Sequence, residues 1–264
     1  MRFVRKITVA KVMTVLVLII MLVPILILIP VSLSSTTYIM FPITDFSTKW
    51  YVDLFTDPEW AEALKNSLLI AFFTTLASLV LGMLITVGLR ELPFKLQVPA
   101  AEYFRLPQSV PIIVTAIAVF SLLTNWKLVG TMTGLVISHT LIAIPFVVTT
   151  LTAGLSRIGR SYEMAAQNLG AGVLRAFVGI TLPQLAPSLF AGGLFAFLTS
   201  FDEIAVTLFV TSPAVSTLPM KMYNGINQSI KPTLAACSTI LILLVILGFT
   251  ISAVFQLKKT IKHK

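Results

Sequence analysis

The sequence predicts an all-α integral membrane protein with six transmembrane helices, and three observations predict it. Of 264 residues, 57% are apolar and 11% charged, against about 25% charged in a soluble domain, and the mean hydropathy is +0.97. Charge this sparse cannot cover a water-exposed surface, which excludes an ordinary cytosolic or secreted globule. Six long stretches are nearly free of charge, each close to the ~20 residues that a helix needs to cross a ~30 Å hydrocarbon core. Runs such as Ile240 to Leu247 are apolar without alternation, whereas membrane-barrel strands alternate over ~10 residues. The single cysteine, Cys237, excludes an internal disulfide scaffold and a cysteine zinc site.

The predicted spans are residues 12–32, 65–88, 107–123, 133–152, 187–211 and 234–256. Arg2, Arg5, Lys6 and Lys11 precede the first. Its apolar run exceeds the usual ~7–15 residues of a signal core, so it is expected to stay as a membrane anchor. The loop that follows, about 33–64, holds Asp45, Asp53, Asp57, Glu59 and Glu62. Its Trp50, Tyr51 and Trp60 suit either an interfacial aromatic anchor or a docking partner. The third span is the shortest and is flanked by Pro107 and Pro111. In the fourth, His139 has only His263 as a fellow histidine, which favours a hydrogen-bonded core residue over a metal ligand. Pro213, Pro219 and Pro232 make the loop after the fifth span irregular or broken helix. Cys237, in the sixth, is read as a small packing residue. No linker, charged low-complexity tract or internal repeat is evident, so residues 1–264 are read as one domain.

Orientation follows from lysine and arginine. With the N-terminus inside, the inner segments hold fourteen of the nineteen bases, among them Arg90, Lys95, Arg105, Arg157, Arg160 and Arg175. The outer ones hold Lys49, Lys65, Lys127, Lys221 and Lys231. Basic residues collect on the cytoplasmic side, so both termini are predicted cytoplasmic, and the net charge of +9 reports topology rather than nucleic-acid binding.

The inner loop at 153–186 is the most informative segment. Tyr162 to Leu169 is helix-forming, and Gly170 is well placed to stop that helix. Val173 to Thr181 predicts a second short amphipathic helix with Val173, Phe177 and Ile180 on one stripe, punctuated by Pro183 and Pro187. The picture is a helix-turn-helix at the membrane surface. Small Ala165 and Ala166 allow another surface to approach, and packing on the chain's own bundle explains them equally well.

Ala165-Ala166, Gly170, Ile180 and Leu182-Pro183 stand at a spacing of Ala-Ala-x-x-x-Gly, nine residues, then Ile-x-Leu-Pro. This resembles the EAA signature of binding-protein-dependent ABC importer permeases. One departure stands out: the family's glutamate position aligns with Met164, and Glu163 lies one residue earlier, a turn of ~100° on a helix. Ser138-His139, Pro145 to Val148, Ser200 to Glu203, Phe209 to Pro213 and Leu218 to Tyr223 look like the spermidine/putrescine-type branch. The likeness runs from about Lys49 to Gln256.

The resemblance implies a type I ABC importer permease fold with a cytoplasmic coupling helix-turn-helix between the fourth and fifth helices. It implies a bacterial cytoplasmic (inner) membrane and surrounding lipid, with no nucleic acid. The implied partners are a second permease subunit in a heterodimer, two copies of an ATPase subunit and an extracytoplasmic solute-binding protein. Glu163, Met164, Ala165, Ala166, Gly170, Ile180, Leu182 and Pro183 are the expected ATPase-coupling residues. The chain has no G-x-x-x-x-G-K-S/T loop, so it is expected to be a transport subunit without an ATPase site, ATP and magnesium belonging to its partners. A polyamine such as spermidine or putrescine, or a related small organic solute, is the implied cargo.

Asp202 and Glu203 are the expected substrate-pathway acids, with Tyr223 in the following loop. Charged residues inside a membrane usually face a cavity or a partner. They either line the path of a cationic solute or pair structurally, and adjacent helical positions diverge too far for both to face one lumen. Tyr223, with Met220 and Met222, fits an outer gate or interface packing. The rival reading is an ATP-independent secondary transporter or channel, which would predict symmetric repeats or more intramembrane ionisable groups. An intramembrane enzyme would need a motif such as HExxH or GxSxG, and neither is present.

Overall fold

The computed structural model describes residues 2–228 and 230–262, with side chains from 11 to 247 apart from 229. His263 and Lys264, named above, lie outside the described residues. Among the described residues no strand forms beyond two isolated bridges, Ser34 with Phe46 and Ser212 with Val215. The helices gather into two compact units, one of the residues up to Ala61 together with those from Met222 on, the other of Glu62–Lys221.

In the first unit, α1 (Arg2–Ser32) packs against α12 (Thr233–Lys262), and Thr239 donates to the Leu28 carbonyl at 3.4 Å. The short helix α2 (Lys49–Thr56) also packs on α12. Its start is tied back to the end of α1: Trp50 Nε1 donates to the Ser34 carbonyl at 2.8 Å, and Tyr51 shares a 2.7 Å hydrogen bond with Ser32. Trp50 is only 6% exposed, and Trp60 is buried as well. Trp50 closes a loop by satisfying a buried carbonyl, as indole N–H groups do when they have a partner.

The second unit is organised around α6 (Met132–Leu155), which buries eleven residues. It packs on α9 (Leu182–Phe201) and on α4 (Phe94–Ser109). Small residues set the spacing. A Cβ on Gly154 of α6 would stand 2.2 Å from Ser188 Oγ, and one on Gly82 of α3 (Pro58–Glu91) would stand 2.6 Å from Val147 Cγ1. Close backbone approach through small residues is the usual way helices associate where lipid removes the hydrophobic drive. Val147, Leu151, Leu185 and Ala196 form one core layer. Ile70, Leu123, Leu135, Val206 and Val210 form another, joining α5 (Ile112–Asn125) to α10 (Ala205–Val210).

The six predicted apolar segments fall on helices, the third and fifth with breaks. Lys11–Ser32, Pro58–Glu91, Met132–Leu155 and Val173–Phe201 are each long and apolar enough to cross a membrane. The third predicted span is not one straight helix. Its first residues end α4, and α4 meets α5 at a 95° bend. Val110, the residue before Pro111, is extended (φ −85°, ψ 134°), as the ring of a following proline demands. The sixth segment lies on α12, apolar over Thr233–Leu247.

The fifth predicted span differs at both ends. It begins much earlier, because α8 (Val173–Ala176) runs through a π turn (Phe177–Thr181) into α9 without interruption. Leu182 N–H reaches back to the Phe177 carbonyl. That widened turn relieves the clash that Pro183 would make with the preceding turn, so Pro183 opens α9 instead of ending a helix. The predicted segment is then broken at 202–204, between α9 and α10. The proline-rich loop that follows carries α11 (Leu218–Gln228).

Candidate functional site

Two places hold the polar residues singled out in the sequence, and both lie within the second unit. The first is the break between α9 and α10. Asp202 closes α9, its N–H bonded to the Leu198 carbonyl at 3.0 Å. Glu203 turns its carboxylate onto the next helix, accepting from the Val206 N–H at 2.8 Å, while its carbonyl accepts from the Thr207 hydroxyl at 2.9 Å. It thereby satisfies a donor that the start of α10 would leave open. Asp202 is exposed and has no hydrogen bond or ion pair from its carboxylate among the described residues. The two neighbours therefore differ in kind: one acid is consumed in capping, the other is presented outward.

His139 of α6 lies against the same break. It is 1% exposed, with Nδ1 2.9 Å from Ser200 Oγ and Nε2 3.0 Å from Thr207 Oγ1. The far end of α10 is fixed separately. The Gly130 N–H donates to the Val210 carbonyl at 2.8 Å, and Ser212 Oγ donates to the Gly130 carbonyl at 3.0 Å. Tyr223 sits on α11 in the residues assigned to the other unit, with its ring partly exposed.

The second place is the segment joining α6 to α9. α7 (Arg160–Asn168) buries no residue. It ends in paired reverse bonds, Ala171 N–H to the Ala166 carbonyl and Gly170 N–H to the Gln167 carbonyl, with Gly170 at φ +92°. This is the Schellman closure that favours glycine after a helix, so Gly170 does the job its position in the sequence suggested. Met164, Leu169, Val173 and Leu174 are all exposed, Leu169 by 90%. Of the predicted stripe, Phe177 and Ile180 are half-buried while Val173 faces outward. Ala165 is exposed, Ala166 and Leu182 are half-buried, and Pro183 is exposed.

Glu163 faces the other way from Met164. Its carboxylate accepts from Arg90 Nη1 at 2.8 Å and from the Thr181 hydroxyl, so α7 is clasped to the end of α3 and to the π turn at once. Alongside, Arg160 bonds the Arg90 carbonyl and pairs with Glu91 at 2.8 Å. Partial burial pushes the Glu163 carboxyl up, but the Thr181 hydroxyl, the Arg90 bond and charge, and the charge of Arg160 outweigh it. The group ends below its ordinary value. The Arg90 partner was not legible, since 73 residues separate the pair.

An apolar cavity of about 600 Å³ lies under the α4–α5 bend, lined by residues such as Ile85, Phe104, Val114, Leu122, Leu141 and Ile144. It offers hydrocarbon contacts and almost no polar group, so it does not resemble a path for a charged solute. Among the described residues no cluster of His, Cys, Asp and Glu is arranged to hold a metal.

A membrane bundle with a broken span and an exposed, glycine-closed helical loop is the architecture of a transport subunit. Residues 69–260 match the family of binding-protein-dependent transport system inner membrane components, and the chain belongs to that family. It is the permease subunit of an ATP-driven importer, a multi-pass inner-membrane protein. Similar proteins place it in the spermidine/putrescine-type branch. It is 31% identical over 218 residues to the spermidine/putrescine transport system permease protein PotC of Escherichia coli strain K12, covering 81% of each chain. It is 29% identical over 204 residues to the putrescine transport system permease protein PotI of the same strain, covering 75% of this chain and 73% of that one. In fold it is similar to the crystal structure of a bacterial ABC transporter involved in import of the acidic polysaccharide alginate. There the TM-score is 0.72 at 14% identity, over 96% of this chain and 97% of the other.

Proposed function

We propose that the chain, acting as one permease domain, passes a polyamine through a path that includes Asp202. One observation carries this reading: Asp202 ends α9 where the apolar segment predicted for 187–211 breaks, exposed and without a basic partner among the described residues. The C-terminal end of a helix holds partial negative charge, and its last carbonyls lack intrahelical donors. Glu203 neutralises the positive start of α10, which leaves the negative end of α9 with Asp202 to attract an ammonium group. Broken helices supply cation sites in this way in other transporters. The names of PotC and PotI agree in solute chemistry.

The work comes from outside the chain. Two copies of an ATPase subunit, which hold ATP and magnesium, dock on the exposed loop of this chain and of a related second permease. An extracytoplasmic binding protein delivers the solute, and both termini face the cytoplasm. Met164, Leu169, Val173 and Leu174 supply an apolar docking face beside Gly170. Motion of α7 reaches α3 through the Glu163–Arg90 clasp, and α8 transmits along unbroken helix to the joint at Asp202.

The test is reconstitution in liposomes with the second permease, the ATPase and the binding protein. Putrescine- or spermidine-loaded binding protein should raise ATP turnover several-fold and drive uptake. Equal stimulation by unloaded binding protein overturns the solute assignment, and uptake without ATP overturns the coupling.

A further inference from the structure

The break at 202–204 leaves the two halves of the span joined by three residues. α6 packs on both halves, against α9 and, through Leu135, against α10, while α10 also packs on α5 and has its end fixed to the turn at Gly130. The His139 side chain of α6 bridges the joint with hydrogen bonds. The His139 imidazole reaches Ser200, on the last turn of α9, and Thr207, on the first turn of α10. Ser200 and Thr207 are themselves buried, at 4% and 0% exposure.

One assignment of the ring proton matches these bonds. A hydroxyl has one hydrogen to give, and that of Thr207 goes to the Glu203 carbonyl at 2.9 Å. With that hydrogen committed, Thr207 Oγ1 stands as an acceptor toward the ring, which suits Nε2 as donor and Nδ1 as acceptor from the Ser200 hydroxyl. One donor and one acceptor, the whole capacity of a neutral imidazole, are matched to the two halves. The same Thr207 hydroxyl links this pair to Glu203, one residue from Asp202.

We propose that His139 is a positioning residue: with Ser200 and Thr207 it staples the halves of the broken span and so fixes where the Asp202 carboxylate is presented. The staple follows from the hydrogen bonds alone, and its effect on transport rests on the pathway role of Asp202 argued above. A side chain there that only filled space would be replaceable by an apolar one of similar bulk. A staple needs a donor and an acceptor at opposite ends, which glutamine supplies and leucine does not.

The experiment uses the full chain assembled with its partners, with Cys237 replaced by serine and spin labels on cysteines at Leu194 and Leu208, exposed residues on either side of the break. Pulsed-EPR distances between them should be narrowly distributed in the parent. His139→Leu and the isosteric Thr207→Val should each broaden the distribution at least two-fold, and His139→Gln should restore it. In uptake assays His139→Leu should raise the solute concentration for half-maximal transport about tenfold, with Gln recovering most of the loss. If His139→Leu does not assemble, Thr207→Val and Ser200→Ala decide the matter. Distributions as narrow as the parent's in these variants overturn the staple. Broadening in His139→Leu together with unaltered transport in Asp202→Asn upholds the staple and overturns the pathway role; unchanged distances with transport lost in Asp202→Asn do the reverse.

Discussion

Three acids looked alike in the sequence, and only their bonds separate them. Glu203 caps a helix, Asp202 is presented outward, and Glu163 is turned into its own chain by Arg90 and Thr181. The one-residue offset of Glu163 from the family's position is legible in the sequence, as is the ~100° rotation that it implies. The clasp itself is not, because its partner lies on a distant helix. It makes a pH prediction with a definite sign. The Glu163 carboxyl is held below its ordinary value, so the clasp contributes fully above the ordinary carboxylate range and is lost as pH falls through the lowered value. Amide hydrogen exchange of α7 in the assembled transporter should stay slow to a lower pH in the parent than in Arg90→Gln. At neutral pH, Glu163→Gln should lose several-fold in solute moved per ATP while the complex still assembles. Equal exchange in parent and Arg90→Gln would show that the pair holds nothing.

At the scale of elements, the spans were legible because apolar length is all that a crossing requires, whereas their breaks depend on what surrounds each proline. Pro111 announces a bend and makes one. Pro183 announces a stop and makes none, since the π turn gives its ring room, and nothing local distinguishes the two cases. Glycines divide in the same way. Gly154 is closed by contact, with Ser188 Oγ 2.2 Å and Ser188 Cβ 2.6 Å from a built Cβ, while Gly170 is in open space but at φ +92°. Gly154→Ala should force α6 and α9 apart, costing ~1–3 kcal/mol as overpacked cores do, and Gly154→Leu should prevent assembly. Gly170→Ala should assemble normally, with a local cost of ~1–2 kcal/mol for a left-handed residue bearing a Cβ. Amide hydrogen exchange separates them: faster exchange along α6 and α9 is expected for Gly154→Ala and faster exchange confined to the end of α7 for Gly170→Ala, and the opposite pattern would mean that α6 and α9 do not meet as described.

For the whole molecule, orientation is a functional statement. A permease subunit driven by ATP must offer its docking loop on the side where ATP is, and an importer must take solute from the other. The lysine and arginine tally predicts the 153–186 loop inside and the acidic 33–64 loop outside. Two exposed residues allow this to be read directly: Leu174 beside α7, 75% exposed, and Phe46 in the first loop, 80% exposed. Cys237, the one native cysteine, is buried and removable as Cys237→Ser. In that background Phe46→Cys should react with a membrane-impermeant maleimide added to intact cells, and Leu174→Cys should react only once the membrane is opened. Docking adds a second arm: the ATPase, if it seats on the loop, should shield Leu174→Cys in opened membranes and leave Phe46→Cys unchanged. Labelling of Leu174→Cys from outside would invert the chain and remove the loop from the reach of ATP. Correct sidedness without shielding would keep the topology and move the docking face elsewhere.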